Sequence, residues 1–213
     1  QASIENQAQV GLKPWREVIT PHRDVIDGKY QQAEFAADLD LVQQGIGSPE
    51  YTDPIEFYRR TFITDGLKDL LLIALKRFNS QSAEPVIELQ TNFGGGKTHS
   101  MLALYHLCKG ISLDKLSGLD QLCSEVGINH VPKASCAVLV GTAFNPSTVD
   151  RKPDGTEVNT LWGELAWQLG GAAGYSQIAE SDKERVAPGA RALAALFNNY
   201  GPCLILIDEW VAY

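Results

Sequence analysis

Glu88-Leu-Gln-Thr-Asn-Phe-Gly-Gly-Gly-Lys-Thr-His-Ser100 is the stretch on which the reading of this chain turns. Backbone N–H groups of a glycine-rich turn can converge on an anion. A lysine adds mobile positive charge, and a threonine hydroxyl can hold a magnesium ion. Gly94, Gly95, Gly96, Lys97 and Thr98 supply all three parts, and Asn92, Phe93 and His99 flank them as further candidates for contact with the nucleotide. In the usual GxxxxGK[T/S] pattern the first glycine falls at Thr91, a departure, because a β-branched residue does not take the positive φ that glycine tolerates. The context is that of a phosphate loop. Pro85 to Leu89 is a short β-branched apolar run that predicts a strand, and Lys97 to Lys109 predicts a helix whose dipole favours an anion at its start.

A second motif completes the first. Cys203-Leu-Ile-Leu-Ile207 is the most apolar run of the chain and ends in Asp208 and Glu209. This has the form of a Walker B strand, with Asp208 holding Mg²⁺ beside Thr98 and Glu209 placed to deprotonate a water. Between Lys97 and Asp208 lie far more residues than the ~30 of one βαβ unit. The apolar run Cys136 to Val140 predicts another parallel strand in that interval. Its end at Thr142 would face the crevice where open α/β sheets bind ligands. An inserted strand with a catalytic glutamate favours an ATPase over a small-molecule kinase. Lys97 and Glu209 are thus the catalytic candidates, Thr98 and Asp208 the metal candidates, with ATP and Mg²⁺ as cofactors.

Upstream, residues 1–14 read as a flexible leader and 15–83 as a helical segment. Residues 84–213 read as the portion of a P-loop ATPase core running from Walker A to Walker B. Pro14, Pro21 and Asp27-Gly28 predict turns over 15–28. Tyr30, Phe35, Leu39 and Val42 predict a helix over 29–44, ended by Gly45 and Gly47. After the linker GIGSPEYT, Asp53 and Pro54 predict an N-cap and first helical residue for a helix running through Phe57, Tyr58 and Phe62. Thr64 would cap the next, with Leu67, Leu70, Leu71, Ala74, Leu75 and Phe78 on one face. These aromatic residues suit ordinary helix packing, or the adenine side of the site.

Downstream, two short helices are predicted within 110–132, and a turn at Asn145-Pro146. A helix over Thr160–Leu169 closes at Gly170-Gly171 with Glu164 on its solvated face, and further helices span Tyr175–Val186 and Ala190–Asn198. His99 and His106 lie ~10 Å apart along one helix, too far to share a metal.

Composition narrows the class. The net charge of −8 opposes a broad nucleic-acid or acidic-membrane surface. The four cysteines, Cys108, Cys123, Cys136 and Cys203, form no CxxC pair, which suits buried thiols in a reducing cytosol. No apolar run approaches the ~20 residues of a membrane span, so the expectation is a cytoplasmic protein with no membrane partner. The abrupt stop at Trp210-Val-Ala-Tyr213 reads as a fragment edge.

Taken together, WREVITPHRDV, KYQQAEFAADL, DPIEFYRRTFITDGL, ELQTNFGGGKTHSMLALYH, TLWGELAWQLGG and CLILIDEWVAY closely resemble the amino-terminal part of a family of large prokaryotic AAA+ ATPases. That family carries a conserved domain of unknown function and often sits in phage-defence gene clusters. The resemblance covers the chain from Trp15 onward, and TNFGGGKTH matches the family's own form of the loop. It implies an α/β, three-layer αβα, mostly parallel P-loop NTPase fold, AAA+-like and incomplete, behind an N-terminal helical segment. It also implies ATP hydrolysis coupled to remodelling of a macromolecule such as DNA in anti-phage defence. Implied partners are the remaining C-terminal part of a larger protein, a homo-oligomer, and DNA or defence-system proteins reached through other regions. The sensor residue and arginine finger would lie beyond Tyr213, so this segment alone would be a poor ATPase. Two alternatives stay open: a nucleotide-dependent docking or switch module without hydrolysis, and a truncated remnant.

Overall fold

The two strongest apolar runs become neighbours. In the computed structural model, which describes residues 38–80, 85–90, 96–131, 133–144 and 148–209, β1 (Ser135–Val140) pairs in parallel with β4 (Cys203–Asp208), from Ser135 opposite Cys203 to Val140 opposite Asp208. Strand periodicity then sends alternate side chains to opposite faces. Val138 and Leu206 enter one apolar cluster, while Ala137 and Leu139 enter another with Ile205 packed against it. Both faces of the pair are therefore covered, as continuous apolar strands require.

The first cluster is closed by helices from the N-terminal half. These are α1 (Leu39–Gln43), α2 (Pro49–Thr52), α3 (Pro54–Arg60), α4 (Asp65–Phe78) and α5 (Lys97–Leu107), followed by a 3₁₀ turn (Leu113–Lys115) and α6 (Leu119–Glu125). Asp53 caps α3 as expected, its Oδ1 accepting from the N–H groups of Ile55 and Glu56 at 2.8 and 3.0 Å. Thr64 caps α4, whose Leu67, Leu70, Leu71, Ala74 and Leu75 are buried. The Tyr58 hydroxyl donates to the Ala103 carbonyl at 2.7 Å and ties α3 to α5.

The second cluster is closed by α7 (Leu161–Ser176) and α9 (Ala190–Tyr200). A small antiparallel hairpin, β2 (Asp150–Arg151) with β3 (Glu157–Val158), precedes α7, and α8 (Ala179–Lys183) follows it. The start of α7 is fixed by one carboxylate. Asp182, fully buried, accepts five hydrogen bonds, from the N–H and side-chain amide of Asn159, the N–H and hydroxyl of Thr160, and the Tyr175 hydroxyl. Burial alone would raise its pKa, yet the donors from Thr160, Asn159 and Tyr175 hold it below the ordinary carboxylate value. Gly163 is obligatory here, since a Cβ would lie 2.2 Å from Asp182 Oδ1.

Several expectations are corrected. Among the described residues Pro85 to Leu89 joins no ladder, and Val86 and Ile87 are exposed; β-branched side chains favour a strand by packing on a pleated, half-buried surface, and these two have no such surface. The helix expected over 29–44 starts, within the described residues, only at Leu39. Asp38 is extended and its carboxylate accepts the N–H groups of Asp40 and Leu41. The linker contains α2, begun by Pro49. Gly170-Gly171 does not end α7 but kinks it, with Gly171 at φ 59° and ψ −150°. A Cβ at Gly170 would lie 2.2 Å from the Tyr200 ring, so the bare backbone there seats α9. The helix expected over 175–186 is broken between Ser176 and Ala179 so that Asp182 can turn inward. The turn at Asn145-Pro146, the reading of residues 1–37 and the segment Trp210–Tyr213 lie outside the described residues.

Asp182→Asn should unfold at lower urea concentration than wild type, by about 3 kcal/mol, because an amide N–H₂ would face donors that a carboxylate accepts. An unchanged midpoint would show that Asp182 does not anchor α7. Gly170→Ala should also destabilise, by roughly 1–3 kcal/mol from overpacking, and Tyr200→Ala in the same chain should relieve that clash.

Candidate functional site

The carboxyl ends of β1 and β4 meet the amino end of α5. Thr98, in the first turn of α5, donates from Oγ1 to Asp208 Oδ2 at 3.2 Å across 110 positions of sequence. The ladder runs one residue past β1, the Gly141 N–H donating to the Asp208 carbonyl at 2.9 Å, which sets Gly141 level with Glu209 and Thr142 one residue beyond. The Thr142 hydroxyl donates to Glu209 Oε2. Glu209 adopts φ 52°, a conformation uncommon outside glycine, and its N–H donates to Asp208 Oδ1 at 2.9 Å. The left-handed turn at the strand end is what separates the two adjacent carboxylates, one turned to Thr98 and the other to Thr142.

Gly96 precedes α5 at φ 76° and ψ 20°. Among the described residues no atom lies within 4 Å of where its Cβ would be, and its left-handed φ is the requirement that glycine meets. Lys97 is exposed and pairs with no carboxylate among the described residues. Asn92, Phe93, Gly94 and Gly95 lie outside the described residues.

His99 turns toward α3. Its ring stacks on Phe57 with centroids 4.6 Å apart, and its Nε2 lies 3.1 Å from Thr61 Oγ1. His106 takes the other side of Phe57 at 4.9 Å. The seven-residue spacing thus places two imidazoles about one phenyl ring. His106 Nε2 lies 2.7 Å from the Tyr51 carbonyl, which can only accept, so Nε2 carries the proton; the buried Nδ1 has no partner among the described residues. Burial lowers the pKa of both imidazoles, that of His106 to about 4.

Other residues missed or misread in the sequence surround β1. Gln168 of α7 clamps its outer edge, accepting from the Val138 N–H at 2.7 Å and donating to the Val138 carbonyl at 2.8 Å. Glu164, expected on a solvated face, has a side chain only 13% exposed and pairs with Lys152 at 2.6 Å, since the hairpin folds over α7. No local pattern marks either contact, because each partner comes from a distant element.

The four cysteines are free, two buried and two half-buried, and burial raises the pKa of each, that of Cys136 to about 12. Among the described residues no three His, Cys, Asp or Glu side chains gather as metal ligands, and no helix is long and apolar enough to cross a membrane. Thr98 with Asp208 is an all-oxygen donor pair of the sparse kind that suits Mg²⁺, which keeps waters and substrate phosphates as its other ligands.

Fold and site together define a mixed α/β domain in which a small parallel sheet and a helix start gather two hydroxyls and two carboxylates. The chain belongs to the DUF499 family, since the model of the DUF499 N-terminal domain matches residues 10–213. This is a domain of unknown function, in agreement with the resemblance read from the motifs. No match to the chain was found among curated proteins or among solved structures.

The histidine pair makes stability pH-dependent. An imidazole whose folded pKa lies near 4 against 6.5 in the unfolded chain contributes stability above pH 6.5 that is lost as pH falls toward 4. Urea unfolding should lose roughly 3 kcal/mol over that interval, with His99 adding in the same direction. His106→Gln should flatten the profile; an equally steep one in the variant would place the titration elsewhere.

Proposed function

We propose that this domain binds ATP with Mg²⁺ and hydrolyses it as the module of an AAA+-type ATPase. The observation that carries the reading is the hydrogen bond from Thr98 to Asp208. Two motifs chosen separately for phosphate and metal chemistry share one contact despite their distance in sequence. The apolar clusters on both faces of the parallel pair support the three-layer αβα, P-loop form of the fold.

On this reading the N–H groups at the start of α5, with the glycines before it, receive the terminal phosphates, and the Lys97 ammonium offsets their charge. Thr98 and Asp208 would hold Mg²⁺, which when bound neutralises phosphate charge as the bond to the γ-phosphoryl group breaks. Glu209 orients the attacking water and takes its proton. Thr142, donating to Glu209 Oε2, positions that carboxylate and occupies one of its lone pairs. The remaining lone pairs of the Glu209 carboxylate are then open to the water. The resemblance adds the output, remodelling of a macromolecule such as DNA in anti-phage defence, with ATP as the partner held by these residues.

Thermal unfolding with Mg-ATP tests binding. A hundredfold excess over Kd should stabilise the wild type by ~2.7 kcal/mol, and Lys97→Ala should abolish the shift. Glu209→Gln in the full-length protein should keep the shift and lose phosphate release by at least about a hundredfold, the scale of general-base catalysis. Undiminished turnover in Glu209→Gln would remove Glu209 as the base, and ATP binding without turnover in the wild type would favour the switch module.

A further inference from the structure

Phe62 is 84% exposed, the extreme among the large apolar side chains of the described residues. The sequence places it at the end of a helix with Phe57 and Tyr58, but α3 ends at Arg60 and Thr61 is its extended C-cap. Phe57 and Tyr58 are buried, whereas Phe62 stands on the short extended tether between α3 and the Thr64 cap of α4.

Both neighbours of Phe62 are seated inward. Thr61 Oγ1 donates to the Phe57 carbonyl at 2.7 Å and lies 3.1 Å from His99 Nε2. Ile63 packs onto Gly118, where its Cδ1 lies 2.9 Å from the position a Cβ would take. In an extended segment successive side chains point to opposite sides. With Thr61 and Ile63 both engaged, the Phe62 ring is left facing solvent on a fixed backbone. The anchor that fixes it, His99, is two residues past Lys97 on the same first turn of α5.

We propose that Phe62 is the stacking platform for the purine base of the bound nucleotide, an inference that rests on the phosphate-loop reading above. The occupant is argued from position: the ring is tethered through Thr61 and His99 to the helix start that would hold the phosphates. A lone aromatic offers a base one π-face and no hydrogen-bond code, so it accepts adenine and guanine alike and does nothing for a phosphate chain without a base.

The test separates base from phosphate by comparing Mg-ATP with inorganic tripolyphosphate on the intact protein. Phe62→Ala should weaken ATP binding about fivefold to a hundredfold, the range for removing one base–aromatic stack, and leave tripolyphosphate affinity unchanged. Phe62→Trp should retain ATP binding and report ATP, but not tripolyphosphate, by a change in tryptophan fluorescence relative to wild type. ATP affinity unchanged in Phe62→Ala, or equal losses for both ligands, overturns the platform while Lys97-dependent binding stands. A wild type that binds neither ligand overturns the phosphate-loop reading and the platform with it.

Discussion

The parallel pairing of Ser135–Val140 with Cys203–Asp208 is the constraint from which the other features of the site follow. Parallel strands place their carboxyl ends at the same edge of the sheet. Residues that leave β1 and β4 therefore emerge side by side, Thr142 beside Glu209, with Asp208 one position earlier. Burial of alternate side chains in separate apolar clusters fixes the register, because a shift of one residue would send every side chain to the wrong face. The position of Asp208 is thus held by Leu206 and Ile205 as much as by its own contacts.

Around that edge the polar groups are arranged by short-range devices. Asp53, Thr64 and Thr160 begin helices by accepting N–H groups that would otherwise lack partners. Asp182 does the same from a distance. The helices so aligned carry Phe57 between His99 and His106, which couples the start of α5 to α3 by packing rather than by charge, both imidazoles being biased toward the neutral form.

Much of this was legible in the sequence where the signal is local. Five apolar residues ending in two carboxylates gave away β4, and Asp53-Pro54 gave away the start of α3. What escaped depends on partners remote in the chain. Val86 and Ile87 have strand-forming side chains but no ladder. Glu164 looks like a surface residue until Lys152 arrives from a hairpin, and Asp182 sits in a charged run, ESDKER, that gives no hint of burial. Phe62 was placed on a helix that stops two residues before it, since nothing in its spacing from Tyr58 tells a continuing helix from one that ends at Arg60. Of the candidate site, Thr98, Asp208 and Glu209 could be named from their motifs, whereas the hydrogen bond from Thr142 to Glu209 required the strand register.

The clamp that Gln168 places on Val138 gives the sheet a direction. A strand edge exposes alternating donors and acceptors, and on the outer side of β1 those of Val138 are already taken by one amide side chain. β4 has no second ladder partner among the described residues. The two borders of the pair thus differ: β1 spends the backbone groups of Val138 on a side chain, and β4 carries the Asp208 and Glu209 carboxylates at its end.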